Sequence, residues 1–406
     1  MLNKTEKSHS AKWLCLICFT ILFLPISGIV PIKGSDIWYT QYLTLFLILF
    51  FGISLKLWEL NRIISVFVFY STLSTVFLTH MHARSVFVLI QTALCALAVL
   101  IVSKIERRHV NKIFLCVLTL VFLQGVYVVM QYFGLDPFFH SVKDSLKDDT
   151  VGMSGNHNQI GLFFAMTAPL VIYYCPIFLL ITAFGIYCST TTIAYCALVF
   201  SVLYYAFFKF RRYFIGVLCV FVVISGFYLT KVDVFSQQKL DERVRLWTHI
   251  VHSVETGQIR PRKGNVIQIV ESNKWLGFGN GSFMMLSPYA QKDIKIAQFL
   301  DVSGEKKEFS HVYEHAHNDY FETYFDLGRI GLILLIMFIL DLFNKFIRSK
   351  KTKILLISFG CLVSFMICVT FIYGTQTALS GSLLTIFLGI FLGEVRRQRH
   401  GSPILA

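Results

Sequence analysis

The chain has 406 residues, of which 55% are hydrophobic and 40 are phenylalanine, and its mean hydropathy is +0.65. Several apolar runs reach about twenty residues, the length that crosses a bilayer as a helix, so the composition excludes a soluble globular protein. The net charge of +14 would suit a nucleic-acid-binding protein, but the basic residues cluster in short loops between apolar runs. That distribution is typical of membrane proteins, and we expect a lipid bilayer and no nucleic acid as partner.

The apolar runs predict about twelve transmembrane helices. They lie at about 13–30, 38–57, 63–80, 84–103, 113–133, 159–174, 176–188, 190–208, 214–230, 317–347, 354–374 and 377–395. Basic short loops follow spans two, four, eight, ten and twelve, so the positive-inside rule puts both termini in the cytoplasm. The long stretch 231–316 then faces the opposite side. The sequence predicts one all-α polytopic membrane domain, 1–406, with one large periplasmic loop inserted between spans nine and ten.

One polar stretch lies where this loop ends and apolar sequence resumes: His315-Ala316-His317-Asn318-Asp319-Tyr320. A continuous helix from His317 would bring Gly328 about three turns and Gly331 about four turns further along one face. Two glycines three apart let another helix approach closely, as small residues do in membrane bundles. We expect a helix fixed by its glycine face, with the imidazole of His317 at its outer end. Histidine can act as a general base near neutral pH, but a surface histidine at a helix start is the simpler alternative from these residues alone. Asn318 could orient this histidine or a substrate.

The same residues carry a resemblance to a known family. Nine free residues separate His317-Asn318 from Gly328, and two free residues separate Gly328 from Gly331. This pattern resembles the signature of bacterial O-antigen ligases and their polymerase relatives. The resemblance covers residues 150–345, whereas the first 130 residues are similar to the family only in being apolar.

The resemblance implies a multi-pass glycosyltransferase of the bacterial inner membrane, with a GT-C-like architecture and an active site facing the periplasm. It implies transfer of a glycan from an undecaprenyl-diphosphate carrier to an acceptor hydroxyl, with His317 as the base and neither metal nor cofactor. The acceptor would be lipid A–core for a ligase, which we favour, or another lipid-linked glycan for a polymerase. A non-catalytic lipid-glycan transporter is an alternative, but it predicts charged residues deep in several spans, and the sequence has few.

A zinc site is a rival interpretation of the same stretch. His311, His315 and His317 lie close in sequence, with Glu314 and Asp319 nearby. Histidine and carboxylate side chains are zinc ligands, but this spacing is loose and no further ligand group accompanies it. We therefore expect no metal.

Two arginines open the predicted loop in the segment Asp241-Glu242-Arg243-Val244-Arg245-Leu246-Trp247. The segment resembles the family's arginine followed four residues later by tryptophan, and Arg243 takes that place. A guanidinium group binds phosphate oxygens with two parallel hydrogen bonds, which suits a diphosphate donor. We expect Arg243, ahead of Arg245, to bind the donor, with Arg84 in a short outer turn as a third candidate; exposed charges near lipid headgroups are the simpler alternative.

Two further segments resemble the family. Asn156 and Asn158 open the predicted sixth span, where polar side chains entering a membrane often mark a substrate path. The glycine-rich run from Trp275 to Phe283 is weak as a phosphate-binding motif, and we expect it to form a tight structural turn. One departure is the absence of an arginine after Ser189, where many relatives carry Ser-Arg.

The outer half of the tenth span contains three charged residues, Glu322, Asp326 and Arg329. Because Asp326 and Arg329 are three residues apart on a predicted helix, we expect them to neutralise each other.

Overall fold

A computed structural model describes most of the chain. The described residues are 62–77, 82–135, 152, 156–189, 191–211, 214, 237–257, 273–283, 286, 298–300, 306–308, 315–372, 374–375 and 378–399. The predicted spans 13–30 and 38–57 lie outside these residues, as does 214–230 beyond Phe214. The side chain of Arg84 also lies outside the described part, although its backbone belongs to a helix.

Ten helices and one short hairpin make up the described residues. They are α1 Arg62–Phe77, α2 His82–Ser103, α3 Arg107–Tyr132, α4 His157–Tyr174, α5 Phe178–Cys188, α6 Thr192–Lys209, α7 Gln237–Thr256, β1 Gln298–Leu300, β2 Lys306–Glu308, α8 Asp319–Arg348, α9 Lys353–Cys368 and α10 Ala378–Arg399. Each predicted span that falls on described residues corresponds to one of these helices, with ends that agree to within about six residues. Among the described helices, α3, α6, α8 and α10 are long and apolar enough to cross a membrane. The fold is that of an α-helical membrane protein.

The predicted loop contains more regular structure than its composition indicated. It holds the 20-residue helix α7 and the hairpin β1–β2, in which Gln298 pairs with Glu308 and Leu300 with Lys306. Apolar run length does not reveal α7, because its buried residues Leu246, Ile250 and Val254 recur every four positions in a helix that is otherwise mostly polar. The hairpin is the one departure from all-α structure within the described residues.

The chain divides into two compact units. The first comprises Met1–Leu60, Leu94–Val234 and Leu342–Ala406, and the second comprises Asn61–Ala93 and Phe235–Asp341. The first unit is built around α4, whose residues from Gln159 to Ile172 are buried. Helices α3, α5, α6, α9 and α10 pack against it.

The second unit has a smaller core in which α7 packs against the start of α8 and the glycine-rich turn. Its buried members are Leu246, Ile250, Val254, Phe278, Phe283, Leu286, Ala316, Tyr324 and Phe325. The rings of Phe278 and Phe325 stack with centroids 4.5 Å apart, and Phe283 meets Phe325 edge-on at 5.2 Å. This core holds together the three segments that the sequence singled out: the arginine helix, the glycine-rich run and the His317 stretch.

Candidate active site

His317 lies in a tight turn immediately before α8, not on the helix. Its φ is +49°, the one positive value for a residue other than glycine among the described residues. The left-handed region costs an L-residue about 1–2 kcal/mol, so the surrounding contacts must hold the turn. The expectation that His317 shares one helix face with Gly328 and Gly331 is therefore wrong, because the helix begins two residues later, at Asp319.

Asn318 caps α8. Its side-chain Oδ1 accepts hydrogen bonds from the backbone N–H groups of Tyr320 at 2.9 Å and Phe321 at 3.1 Å. Asparagine is among the preferred residues at this position because it satisfies N–H groups that lack an intrahelical partner. The cap fixes where the helix begins, and thereby where the His317 turn ends.

The residues that precede His317 are also held. His315 and Glu322 are both buried, and their Nδ1 and Oε1 atoms lie 3.2 Å apart. The other oxygen of Glu322 accepts the backbone N–H of Ala316 at 3.1 Å. On the opposite side of the same residue, the indole Nε1 of Trp247 donates to the carbonyl oxygen of Ala316 at 3.0 Å.

The His315–Glu322 contact also bears on the zinc interpretation. His315 is engaged with a carboxylate seven residues along the chain. Within the part of the chain that the structure describes, no three His, Cys, Asp or Glu side chains are grouped so that they could hold a metal ion. His311 and Glu314 lie outside the described residues, so the absence of a metal stays a prediction.

Helix α7 places its two arginines differently. Arg243 precedes Trp247 by four residues and therefore lies on the same face as the buried Leu246, Ile250 and Val254. Its side chain is half-buried, whereas Arg245 points away from that face and is exposed. Because Trp247 contacts Ala316, the face that carries Arg243 is the one turned toward the His317 turn.

Gly328 interrupts α8. Its φ of 62° and ψ of −161° lie in a region that only glycine adopts readily. A Cβ atom on Gly328 would meet the nitrogen of Gly277 and the carbonyl oxygen of Trp275 at 2.5 Å. A Cβ on Gly331 would lie 2.2 Å from the Cβ of Leu327 in the preceding turn. The two glycines therefore serve a break in α8 that receives the glycine-rich turn; the expected approach of another helix to them is not what the described contacts show.

The backbone groups freed at this break find partners in the glycine-rich turn and in α1. The carbonyl oxygens of Phe325 and Asp326 accept the N–H groups of Phe278 and Gly279 at 3.0 and 2.9 Å. The N–H groups of Arg329 and Ile330 donate to the carbonyls of Lys274 and Trp275 at 3.0 and 3.1 Å. The Tyr70 hydroxyl, on α1, donates to the carbonyl of Leu327 at 2.9 Å. These bonds replace those that the helix loses, as buried backbone groups require.

Asp326 completes this attachment. Its buried carboxylate accepts the N–H groups of Gly281 and Phe283, each at 2.8 Å. Asn280, between them, is held from α1 and α2: its N–H donates to Ser74 at 3.1 Å, and its carbonyl accepts the Ser85 hydroxyl.

Every backbone N–H from Gly277 to Phe283 therefore has an acceptor inside the protein. The glycine-rich run is a structural turn, as expected, and has no N–H group left in this arrangement to bind a phosphate.

Arg329 does not pair with Asp326, so the expected neutralisation of these two residues is wrong. Arg329 donates through one nitrogen to both oxygens of Glu255, at 2.7 and 2.8 Å, and its guanidinium lies 5.3 Å from the ring centre of Trp275. The Tyr324 hydroxyl donates to Glu255 at 2.5 Å. The hydrogen bonds from Tyr324 and then Arg329 hold the pKa of Glu255 below its usual range. The hydrogen bonds from Tyr324 and Arg329 to Glu255 therefore connect the end of α7 to α8.

Asn156 and Asn158 belong to the first unit. The side chain of Asn156 caps α4 by accepting the N–H groups of Asn158 at 2.9 Å and Gln159 at 3.3 Å. The hydroxyl of Thr191, two residues after Ser189, donates to the carbonyl of His157 at 3.3 Å. Asn156 thus has a structural role in starting α4, and a role of either asparagine toward substrate stays a prediction, as does that of Arg84.

Sequence reasoning did not assign the parts played by Trp247, Glu322 and Asp326. Asp326 binds N–H groups 45 and 43 residues earlier, and no local spacing predicts such a contact. For Trp247 a signal existed, because it lies one turn after Arg243 on an apolar face.

A search of the curated proteins found no match to this chain. The family model described as O-antigen ligase matches residues 177–336, inside the stretch 150–345 that the resemblance covers. The match includes His317, Asn318, both motif glycines and both arginines of α7, and it begins after Asn156 and Asn158. Residues 177–336, which contain the strained histidine turn and the start of the helix that follows it, are thus similar to the O-antigen ligase family.

Proposed function

We propose that this protein is a metal-independent glycosyltransferase of the bacterial inner membrane, with about twelve spans in one GT-C-like membrane domain and its site facing the periplasm. The donor is a glycan on undecaprenyl diphosphate, and the acceptor is a hydroxyl of lipid A–core. The observation that carries the proposal is the His317 turn, held in a strained conformation within the O-antigen ligase domain. Strain of this kind persists where the surroundings enforce it and is common at active sites.

The chemistry follows from the residue types. His317 takes the proton of the acceptor hydroxyl as its oxygen bonds to the anomeric carbon of the donor. The bond from that carbon to the phosphate oxygen breaks, and undecaprenyl diphosphate leaves with the electron pair. Arg243 stabilises the negative charge that develops on the diphosphate. Histidine then returns its proton to solvent.

A repeat-unit polymerase is the second candidate, because it uses the same donor and the same base. Gel analysis of surface glycolipid from a deletion strain separates the two. Free lipid A–core together with accumulated lipid-linked polymer would identify a ligase. Core carrying a single repeat unit would identify a polymerase. Unchanged glycolipid in the deletion strain would contradict both.

A further inference from the structure

Ala316, the residue before His317, is held through both of its backbone polar groups. It is fully buried, its carbonyl oxygen accepts the Trp247 indole N–H, and its own N–H donates to Glu322. We call the two side chains that bind these backbone groups, Trp247 and Glu322, together with Ala316 itself, the Ala316 clamp. A backbone segment fixed at both its N–H and its C=O cannot rotate without breaking a hydrogen bond.

Both side chains of the clamp are themselves held in place. The Trp247 ring stacks on Phe321 with centroids 5.3 Å apart and planes 19° from parallel. The second oxygen of Glu322 lies 3.2 Å from the His315 ring in a buried setting. Buried polar groups with several partners are rigid because each lost hydrogen bond leaves a desolvated group behind. Contacts with Phe321 and His315 therefore hold the two side chains of the clamp in place.

The clamp acts on the strained residue. His317 has its positive φ between the clamped Ala316 and Asn318, whose side chain caps α8. Without the clamp, the turn could relax toward a negative φ, which would move the imidazole. The indole belongs to α7, one turn beyond Arg243, so the same contact joins the helix of the arginine to the turn of the base.

We propose that Trp247 and Glu322 are positioning residues that hold the His317 imidazole in register with Arg243 through the Ala316 clamp. This inference rests on the proposed glycosyl transfer. Neither residue is assigned contact with donor or acceptor. A misplacement of about 1 Å is enough to slow an enzyme about a hundredfold, so the loss of one clamp bond is measurable.

Trp247→Phe tests the hydrogen bond from the Trp247 indole to the Ala316 carbonyl oxygen. Phenylalanine keeps the stack on Phe321 and the apolar contact but removes the indole N–H, leaving the buried Ala316 carbonyl without that donor. We expect kcat for glycan transfer by the purified protein to fall about 10- to 100-fold. The donor KM should stay within about threefold, because Arg243 remains in place. The matched control is Trp275→Phe, the same change at an exposed tryptophan of the same unit, which should keep wild-type kcat.

Glu322→Gln and Glu322→Ala test the hydrogen bond from the Ala316 N–H to the Glu322 side chain. Glutamine retains an oxygen for the Ala316 N–H and should keep most of the activity, whereas alanine removes it and should lose activity as Trp247→Phe does. If Trp247→Phe fails to accumulate in the membrane, this pair decides the question. Limited proteolysis of each purified variant checks that its fold is retained.

Two results would contradict the proposal that the Ala316 clamp positions His317. One is a kcat for Trp247→Phe equal to that of Trp275→Phe, together with equal activity of both Glu322 variants. The other is a rise in donor KM at unchanged kcat, which would make Trp247 part of donor binding. Failure of the proposed function looks different, because the wild-type protein itself would then transfer no glycan.

Discussion

At the scale of single residues, one histidine has a strained backbone conformation. His317 adopts a positive φ in a turn whose neighbours are all hydrogen-bonded. Such strain costs of order 1–3 kcal/mol and is kept only where the surroundings over-determine it. A surface histidine that merely preceded a helix would have no reason to keep this conformation. The strain therefore favours a functional imidazole.

The two arginines of α7 give the first prediction. Arg243→Ala should reduce transfer about 10- to 100-fold, the effect of losing a charge-assisted contact worth about 1.5–3 kcal/mol. Arg243→Lys keeps the charge but loses the bidentate fork, so its defect should be partial. Arg245→Ala, on the exposed face of the same helix, should have a smaller effect than Arg243→Ala. Steady-state kinetics with varied donor measures all three. Small, equal effects from every change would make these arginines headgroup contacts only.

Metal removal is the second prediction. A lone general base needs no ion, so the purified protein should transfer glycan at the same rate in excess EDTA. The rate before and after chelation is the measurement, with added zinc as the comparison. Transfer that stops in EDTA and returns with zinc would restore the zinc interpretation, and would call for a ligand set that includes residues outside the described part of the chain.

At the scale of elements, α8 consists of two helical pieces that meet at Gly328. We call this break, together with the glycine-rich turn packed into it, the junction. The first piece of α8 carries the cap, the Glu322 side of the clamp and Asp326, and the second piece is the apolar run that is long enough to cross a membrane. The glycine-rich turn fills the break and takes over the hydrogen bonds lost there. A plain apolar helix would carry no such feature, so the break fixes the first piece independently of the second.

Gly328→Ala is the third prediction. The added Cβ would meet backbone atoms at 2.5 Å in a conformation that only glycine favours, so the destabilisation should reach about 2–6 kcal/mol. The control is Gly134→Ala, where φ is +75° but no atom lies within 4 Å of the place that the added methyl group would take; strain alone should cost about 1–2 kcal/mol. Unfolding in detergent compares the two. Equal stabilities would show that the tight junction does not exist.

The fourth prediction concerns Asp326. Asparagine can accept only one of the two buried N–H bonds and places an amide against the other, so Asp326→Asn should cost about 1.5–3 kcal/mol and loosen the glycine-rich turn. Glu255→Gln, at a solvent-exposed group, should have a much smaller effect. Thermal unfolding and proteolysis within 273–283 measure both changes. A larger effect at Glu255 than at Asp326 would contradict the description of the junction.

At the scale of the whole molecule, the apolar helices among the described residues were predictable and the site's architecture was not. Apolar run length located each described apolar helix, because a bilayer-crossing helix needs about twenty apolar residues whatever its neighbours are. The junction at Gly328 was missed because the partners of Asp326 and Gly328 lie more than forty residues earlier in the chain. Helix α7 was missed because its residues are too polar for a span. The motif pointed to His317, but only the structure gave the clamp and the strain.

The fifth prediction concerns topology. Thr256 and Lys350, both exposed, should lie on opposite sides of the membrane because α8 separates them. In cells with a permeabilised outer membrane, an impermeant maleimide should label Thr256→Cys, and should label Lys350→Cys only after the inner membrane is opened. The unsubstituted protein, whose native cysteines must be checked first, is the control. Labelling of both positions under one condition would contradict the periplasmic location of the site.

The central claim is that His317 is the base of glycosyl transfer, and a single-turnover reaction tests it most directly. Purified protein is mixed with polyprenyl-diphosphate-linked glycan and acceptor, and release of polyprenyl diphosphate is followed together with formation of the glycoside. The wild-type protein should form both products in equal amounts. His317→Ala, with wild-type resistance to proteolysis, should be slower by about 10²–10⁴-fold. A folded His317→Ala variant that transfers glycan at the wild-type rate would contradict the account.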